Sequence, residues 1–129
     1  MAESAAASSI ELSIIVPCYN EELNIPELTA RVLGVFSSGN IKGELVLVDD
    51  CSKDGTARVI REQMAANPDV VVGVFHHKNQ GIAGGWRSGA HAARGANVAI
   101  IDADLQYQPE DVLRLYRVLM DRSVDVVQG

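Results

Sequence analysis

The chain has 129 residues, 47% of them hydrophobic and 22% charged, and a formal net charge of -6. That length and balance suit one globular domain with a core of its own and exclude disordered and fibrous classes. The acidic excess argues against a nucleic-acid surface, which needs clustered Lys and Arg, but it allows a phosphorylated ligand held through a divalent cation.

The opening MAESAAASS is small and polar, so residues 1–10 read as a disordered lead-in to a single domain over 11–129. It has neither the basic region nor the apolar stretch of a signal peptide. No apolar run approaches the ~20 residues of a membrane span, and Cys18 and Cys51 lack zinc-site spacing. A reduced, cytoplasmic protein is the simple expectation.

From Leu12 onward, strand-like and helix-like segments alternate. Leu12–Val16 is a short apolar strand stopped by Pro17. Ile25, Leu28, Val32, Leu33 and Phe36 recur at helical spacing, with Pro26 acceptable in a first turn. Leu45–Val48 is a buried strand running into Asp49 and Asp50, and Thr56–Ala66 is helical. Val70–Phe75 is a third strand. Ile82–Arg94 is a helix weakened by Gly84, Gly85 and Gly89. Val98–Ile101 is a fourth strand leading into Asp102, Pro109–Met120 is the clearest helix, and Val124–Val127 begins a fifth strand. Repeated βα units with apolar strands predict an open, mainly parallel α/β sheet with helices on both faces. Ending on a strand reads as truncation within a longer catalytic domain.

In such a sheet, ligands bind beyond the carboxyl ends of the strands. Three strands deliver polar residues there: Pro17 to Glu21, Asp49 to Thr56, and Asp102 to Gln106. Carboxylates gathered at one edge repel one another unless a cation or hydrogen-bond donors lie between them. Asp102 and Asp104, one residue apart, fit a hard cation such as Mg2+ or Mn2+ that also takes diphosphate oxygens; the bland alternative makes them turn residues. Asp49 and Asp50 suit either turn chemistry with Asp54, Gly55 and Thr56, or a carboxylate accepting a nucleobase N–H. Tyr19 is either core or an aromatic wall. The glycines at 81, 84, 85 and 89 read as close helix-on-sheet packing. No GxGxxG follows the first strand, which argues against a dinucleotide oxidoreductase. His76 and His77 read as solvated strand-end residues without a role, and Trp86 as core or rim.

The stretches Ile14-Ile15-Val16-Pro17-Cys18-Tyr19-Asn20-Glu21, Val48-Asp49-Asp50-Cys51-Ser52-Lys53-Asp54-Gly55-Thr56 and Asp102-Ala103-Asp104-Leu105-Gln106 resemble, in order and spacing, the inverting family 2 of GT-A glycosyltransferases. The third, followed by Pro109-Glu110, is most similar to the branch with dolichyl-phosphate mannose synthase and bacterial polyprenyl-phosphate glycosyltransferases. The resemblance implies a Rossmann-like GT-A fold with central strand order 3-2-1-4 and a nucleotide diphosphate sugar (UDP- or GDP-hexose) as donor. It implies a nucleotide-sugar pocket of Pro17, Tyr19, Glu21, Val48, Asp50, Asp102, Ala103 and Asp104, with a metal on Asp102, Asp104 and Gln106. Asn79 and Gly81 match the start of a third family motif, from which Ile82, Gly84, Gly85 and Trp86 then depart. The family's acceptor half, here for a polyprenyl phosphate, lies beyond Gly129, so no catalytic base is identified and the chain alone is expected to transfer little. The parent would work at the cytoplasmic face of a membrane. The rival reading is a non-catalytic binding module derived from the same domain.

Overall fold

The computed structural model describes residues 9–122. In chain order it contains β1 (Leu12–Cys18), α1 (Ile25–Gly39), β2 (Gly43–Asp49), α2 (Thr56–Ala66), β3 (Val71–Phe75), α3 (Gly81–Ala92), β4 (Asn97–Ile100) and α4 (Glu110–Arg122). Every pairing is parallel, and the strand order is β3-β2-β1-β4, as the resemblance implies. The chain winds outward from β1 to β3, then returns to lay β4 on the other side of β1. This reversal opens a switch point between β1 and β4. The fifth strand expected at Val124–Val127 lies outside the described residues.

Strand side chains alternate faces, and the register sorts them into two layers. Leu12, Ile14, Val16 and Cys18 pack with Leu45, Leu47 and Val71 beneath Ile25, Leu28 and Val32 of α1, Val59 and Ile60 of α2, and Val112 of α4. On the other face Ile15, Val46 and Val48 form a smaller core against Ala92 and Ala93 at the end of α3. The small residues let α3 sit close: a Cβ on Gly85 would lie 3.0 Å from Pro17 Cβ, and one on Gly89 would overlap the Ile15 Cγ2 methyl. Packing therefore overrides the weak helix propensity of the glycines. Val98 and Ile100 of β4 share this second face but remain 50% and 46% exposed, beyond the reach of α3. Among the described residues, no helix is long and apolar enough to cross a membrane.

Most element ends shift by one or two residues from the sequence reading, and three boundaries differ for physical reasons. Ile10 is buried and its carbonyl accepts the Ala96 N–H, so the folded body includes it. β1 continues through Pro17, which pairs with Val48. By register the missing Pro17 N–H faces the β4 side, beyond the last residue of that strand, so no ladder bond is lost. β2 begins at Gly43 and contains Glu44, a charged residue that breaks the apolar run yet is fully buried. Its carboxylate accepts Ser13 Oγ–H at 2.7 Å, the Arg94 backbone N–H at 2.6 Å, and the Arg94 Nε and Nη2 groups at 3.0 Å each. This latch ties β1, β2 and the segment after α3 at the amino edge, opposite the candidate site.

Candidate functional site

The loops leaving β1 and β2 are laced into one wall. Asn20 N–H donates to Ser52 Oγ at 2.9 Å, and Lys53 N–H donates back to Asn20 Oδ1 at 2.9 Å. Glu21 N–H reaches Thr56 Oγ1 at 2.8 Å, and Gly55 N–H reaches Glu22 Oε1 at 3.1 Å. Asp54 closes the first turn of α2 by accepting the Thr56 N–H and hydroxyl at 2.9 and 2.5 Å. Burial works to raise the Asp54 pKa, but these Thr56 hydrogen bonds outweigh it and hold the carboxyl below its ordinary range. Asn20, Cys51 and Leu105, one after each of β1, β2 and β4, have φ of 55°, 60° and 63°. Non-glycine residues in the left-handed region carry strain, and strain of this kind clusters at functional edges.

Asp50 is the hub of the site. It is buried, and its Oδ1 meets His76 Nδ1 at 2.8 Å and the Gln80 N–H at 2.7 Å, while Oδ2 accepts the Gly81 N–H at 2.9 Å. Its backbone carbonyl accepts from Asn79 Nδ2 at 3.3 Å. Burial pushes the Asp50 carboxyl upward, but the hydrogen bonds from His76, Gln80 and Gly81 prevail and hold it below the usual carboxylate range. Asp50 therefore caps the amino end of α3 as an ionised group. Gly81 at φ +79° is the residue that lets the chain turn there into the helix. Asp49, also buried, accepts the Ser52 N–H at 3.2 Å.

His76 is the participant that sequence reasoning missed. Its side chain is only 5% exposed, and its Nε2 contacts Ser88 Oγ on α3 at 2.7 Å. Its partners lie 26 and 12 residues away, so no local spacing announces them. His77, by contrast, is exposed as expected.

The third loop is differently built. Ala103 is buried while its neighbours Asp102 and Asp104 are exposed, which points both carboxylates outward around an anchored residue. Asp104 Oδ1 accepts the Gln106 N–H at 3.1 Å, and the Gln106 side chain is exposed. Among the described residues no group of three His, Cys, Asp or Glu is gathered at metal-binding distance. A cation on Asp102 and Asp104 would thus complete its shell with water, the Gln106 amide and ligand oxygens, as hard ions of the Mg2+ and Mn2+ type do. The two acidic clusters resolve differently: protein donors engage buried Asp49 and Asp50, filling all but one of the Asp50 carboxylate positions, whereas Asp102 and Asp104 are open to solvent.

Among the other expected site residues, Tyr19 is 42% exposed at the end of β1, and Pro17 lies half-buried under Gly85. Glu21 accepts the Asn24 amide at 2.9 Å. Val48 is fully buried beneath α3, so its side chain belongs to the core. Trp86 is a rim residue, 43% exposed. Cys18 is buried, and that burial, with Asp49 and Glu21 nearby, pushes its thiol far up and leaves it unreactive.

The model of the glycosyl transferase family 2 matches residues 13–129. The chain belongs to glycosyl transferase family 2. This family 2 chain is 36% identical over 116 residues to the undecaprenyl-phosphate 4-deoxy-4-formamido-L-arabinose transferase of Aeromonas hydrophila, covering 90% of the chain and 35% of that protein. It is 36% identical over 116 residues to the dolichol-phosphate mannosyltransferase of Saccharomyces cerevisiae, covering 89% of the chain and 43% of that protein. The solved mannosyltransferase PcManGT from Pyrobaculum calidifontis, in complex with GDP-Man and Mn2+, matches with a TM-score of 0.76 at 29% identity, over 90% of this chain and 34% of that one. The fold is therefore the GT-A α/β fold. The family 2 chain spans roughly a third to two-fifths of the length of these proteins.

Proposed function

We propose that this chain is the donor-binding part of a metal-dependent, inverting glycosyltransferase that moves a hexose from a nucleotide diphosphate donor to a polyprenyl phosphate. The observation that carries the reading is the adjacency of Tyr19, Asp50 and Asp102 after β1, β2 and β4, three neighbouring parallel strands. Asp50 and Asp102 follow strands two spacings apart, roughly 10 Å. That separation suits a nucleoside laid across β1, with its base toward Asp50 and its diphosphate toward Asp102 and Asp104. Three of about four lone pairs on the Asp50 carboxylate are filled, leaving one on Oδ2 for a base N–H. Tyr19 offers an exposed ring to the base or ribose, and Pro17 and Glu21 shape the wall around it.

A divalent cation, when bound by Asp102, Asp104 and Gln106, offsets the negative charge that grows on the departing diphosphate. Buried Ala103 anchors the chain between these two exposed carboxylates. In the transfer itself a phosphate oxygen of the acceptor bonds to the anomeric carbon from the face opposite the diphosphate. The bond from that carbon to the diphosphate breaks, and nucleoside diphosphate leaves. A polyprenyl phosphate is already ionised at neutral pH, so this attack requires no protein base. Work on such an acceptor would bring the whole enzyme to a membrane face, and the reading puts it on the cytoplasmic side. The similarity to polyprenyl-phosphate and dolichol-phosphate sugar transferases supports that acceptor class.

Titration of nucleosides and nucleoside diphosphates into two variants tests the division of labour. Asp50→Ala should weaken both ligand types alike, because both lose the base contact. Asp104→Ala should weaken only the diphosphates, since a nucleoside gives a cation nothing to bridge. Identical losses for both ligands in both variants would refute the assignment.

A further inference from the structure

We propose that His76 is a positioning residue that aims Asp50 at the nucleobase, with Ser88 as its anchor on α3. The proposal rests on the reading that Asp50 receives a base N–H. An ionised carboxylate only accepts hydrogen bonds, so His76 Nδ1 must carry the proton in its 2.8 Å contact with Asp50 Oδ1. In the neutral ring, Nε2 is then the acceptor, and the Ser88 hydroxyl donates to it across 2.7 Å. Both ends of the imidazole are tied and the side chain is only 5% exposed, which fixes its tautomer and its place.

The consequence falls on Asp50. Its Oδ1 is saturated by His76 and the Gln80 N–H, whereas Oδ2 holds only the Gly81 N–H. The free lone pair is thereby assigned to one oxygen and one direction. Without the imidazole, Oδ1 would regain an open site, the carboxylate could turn about its last torsion, and water could enter the space left behind. His76 also connects the end of β3 to the second turn of α3, so the helix that supplies two donors to Asp50 is registered by the same ring.

The test is calorimetric titration of uridine, guanosine, UDP and GDP, with Mn2+ present, into the 129-residue chain and its variants. His76→Leu should weaken nucleosides and diphosphates alike by roughly tenfold, the low end for losing a hydrogen bond to a charged group. His76→Asn, whose amide N–H takes the place of Nδ1–H, should recover most of that loss. His76→Leu combined with Asp50→Ala should bind no more weakly than Asp50→Ala alone. Wild-type affinity in His76→Leu, with Asp50→Ala impaired, would overturn the role of His76 and leave the base reading intact. Additive losses in the double variant would also overturn it, because they would mean that His76 acts through general stability. An unimpaired Asp50→Ala, or no nucleoside binding by the wild-type chain, would refute the base reading and this proposal with it. Should His76→Leu fail to fold, the imidazole 15N shifts of the wild-type chain still decide: a proton on Nδ1 is expected, and a bare Nδ1 would overturn the proposal.

Discussion

Gly34 and Gly89 both sit inside helices, and the same substitution at each should change stability in opposite directions. Gly34 lies on the exposed side of α1, and a Cβ there meets nothing within 4 Å. Gly34→Ala should therefore stabilise by about 0.5–1 kcal/mol, the ordinary gain from removing a helical glycine. Gly89→Ala receives the same gain, but its Cβ would overlap the Ile15 Cγ2 methyl and lie 3.3 Å from Val48 Cγ2. Ile15 and Val48 are both fully buried and β-branched, so neither methyl swings aside without leaving its rotamer. Overpacking of this kind costs about 1–3 kcal/mol, which exceeds the propensity gain and leaves a net loss of about 1 kcal/mol. The two variants should then differ by about 2 kcal/mol, or roughly 8 °C in melting temperature for a domain of this size. A shift of α3 away from the sheet also carries the Gln80 and Gly81 N–H groups from Asp50, so nucleotide affinity should fall in Gly89→Ala and hold in Gly34→Ala. Parallel urea melts and UDP titrations measure both effects. Shifts of the same sign and size in the two variants would refute the claim that α3 is seated by close glycine packing.

Acid should weaken the fold through Asp50 and Asp54. Their folded carboxyls titrate below the unfolded value of about 3.9, so the stability they contribute is complete above that pH and is lost as pH falls through the folded values. Asp50→Asn should flatten the fall in stability below about pH 4, as followed by urea melts from pH 6 to 3; an unchanged slope would count against it. At the other edge of the sheet, Glu44→Gln sets an amide N–H against donors from Ser13 or Arg94. Arg94 is half exposed and can reach water, so no buried charge is stranded. The loss should be about 2–3 kcal/mol, and a change under about 0.5 kcal/mol would mean that the latch contributes little.

Much of this architecture is legible in the chain itself because burial writes a period into the sequence. The apolar runs of β1 and β2 and the helical spacing of Leu28, Val32 and Phe36 mark elements with buried cores, half-buried β3 is marked by its valines, and all of these elements lie within a residue or two of where expected. The amino end of β2 is obscured because Glu44 looks like a surface residue until Ser13 and Arg94 arrive from distant segments. Pro17 reads as a strand terminator because its missing donor matters only if a neighbour faces it, and β4 has already ended there. At the candidate site, the motifs put Tyr19, Asp50, Asp102 and Asp104 at the carboxyl edge of the sheet, and they follow β1, β2 and β4 there. They do not reveal that Asp50 spends most of its hydrogen-bonding capacity on α3 and His76, since those partners are defined by topology and not by spacing. The sequence already suggests different roles for Asp49 and Asp50 and for Asp102 and Asp104, but their different burial and donors appear only in the fold.

The most direct test of the account is the cation dependence of donor binding. UDP and GDP should be titrated into the 129-residue chain with Mn2+ and again after chelation, beside Asp104→Ala under both conditions. Chelation should weaken the wild-type chain by roughly tenfold or more, a loss of about 1.4 kcal/mol or greater, and leave the already weakened Asp104→Ala unchanged. Equal wild-type affinity with and without the cation would contradict it.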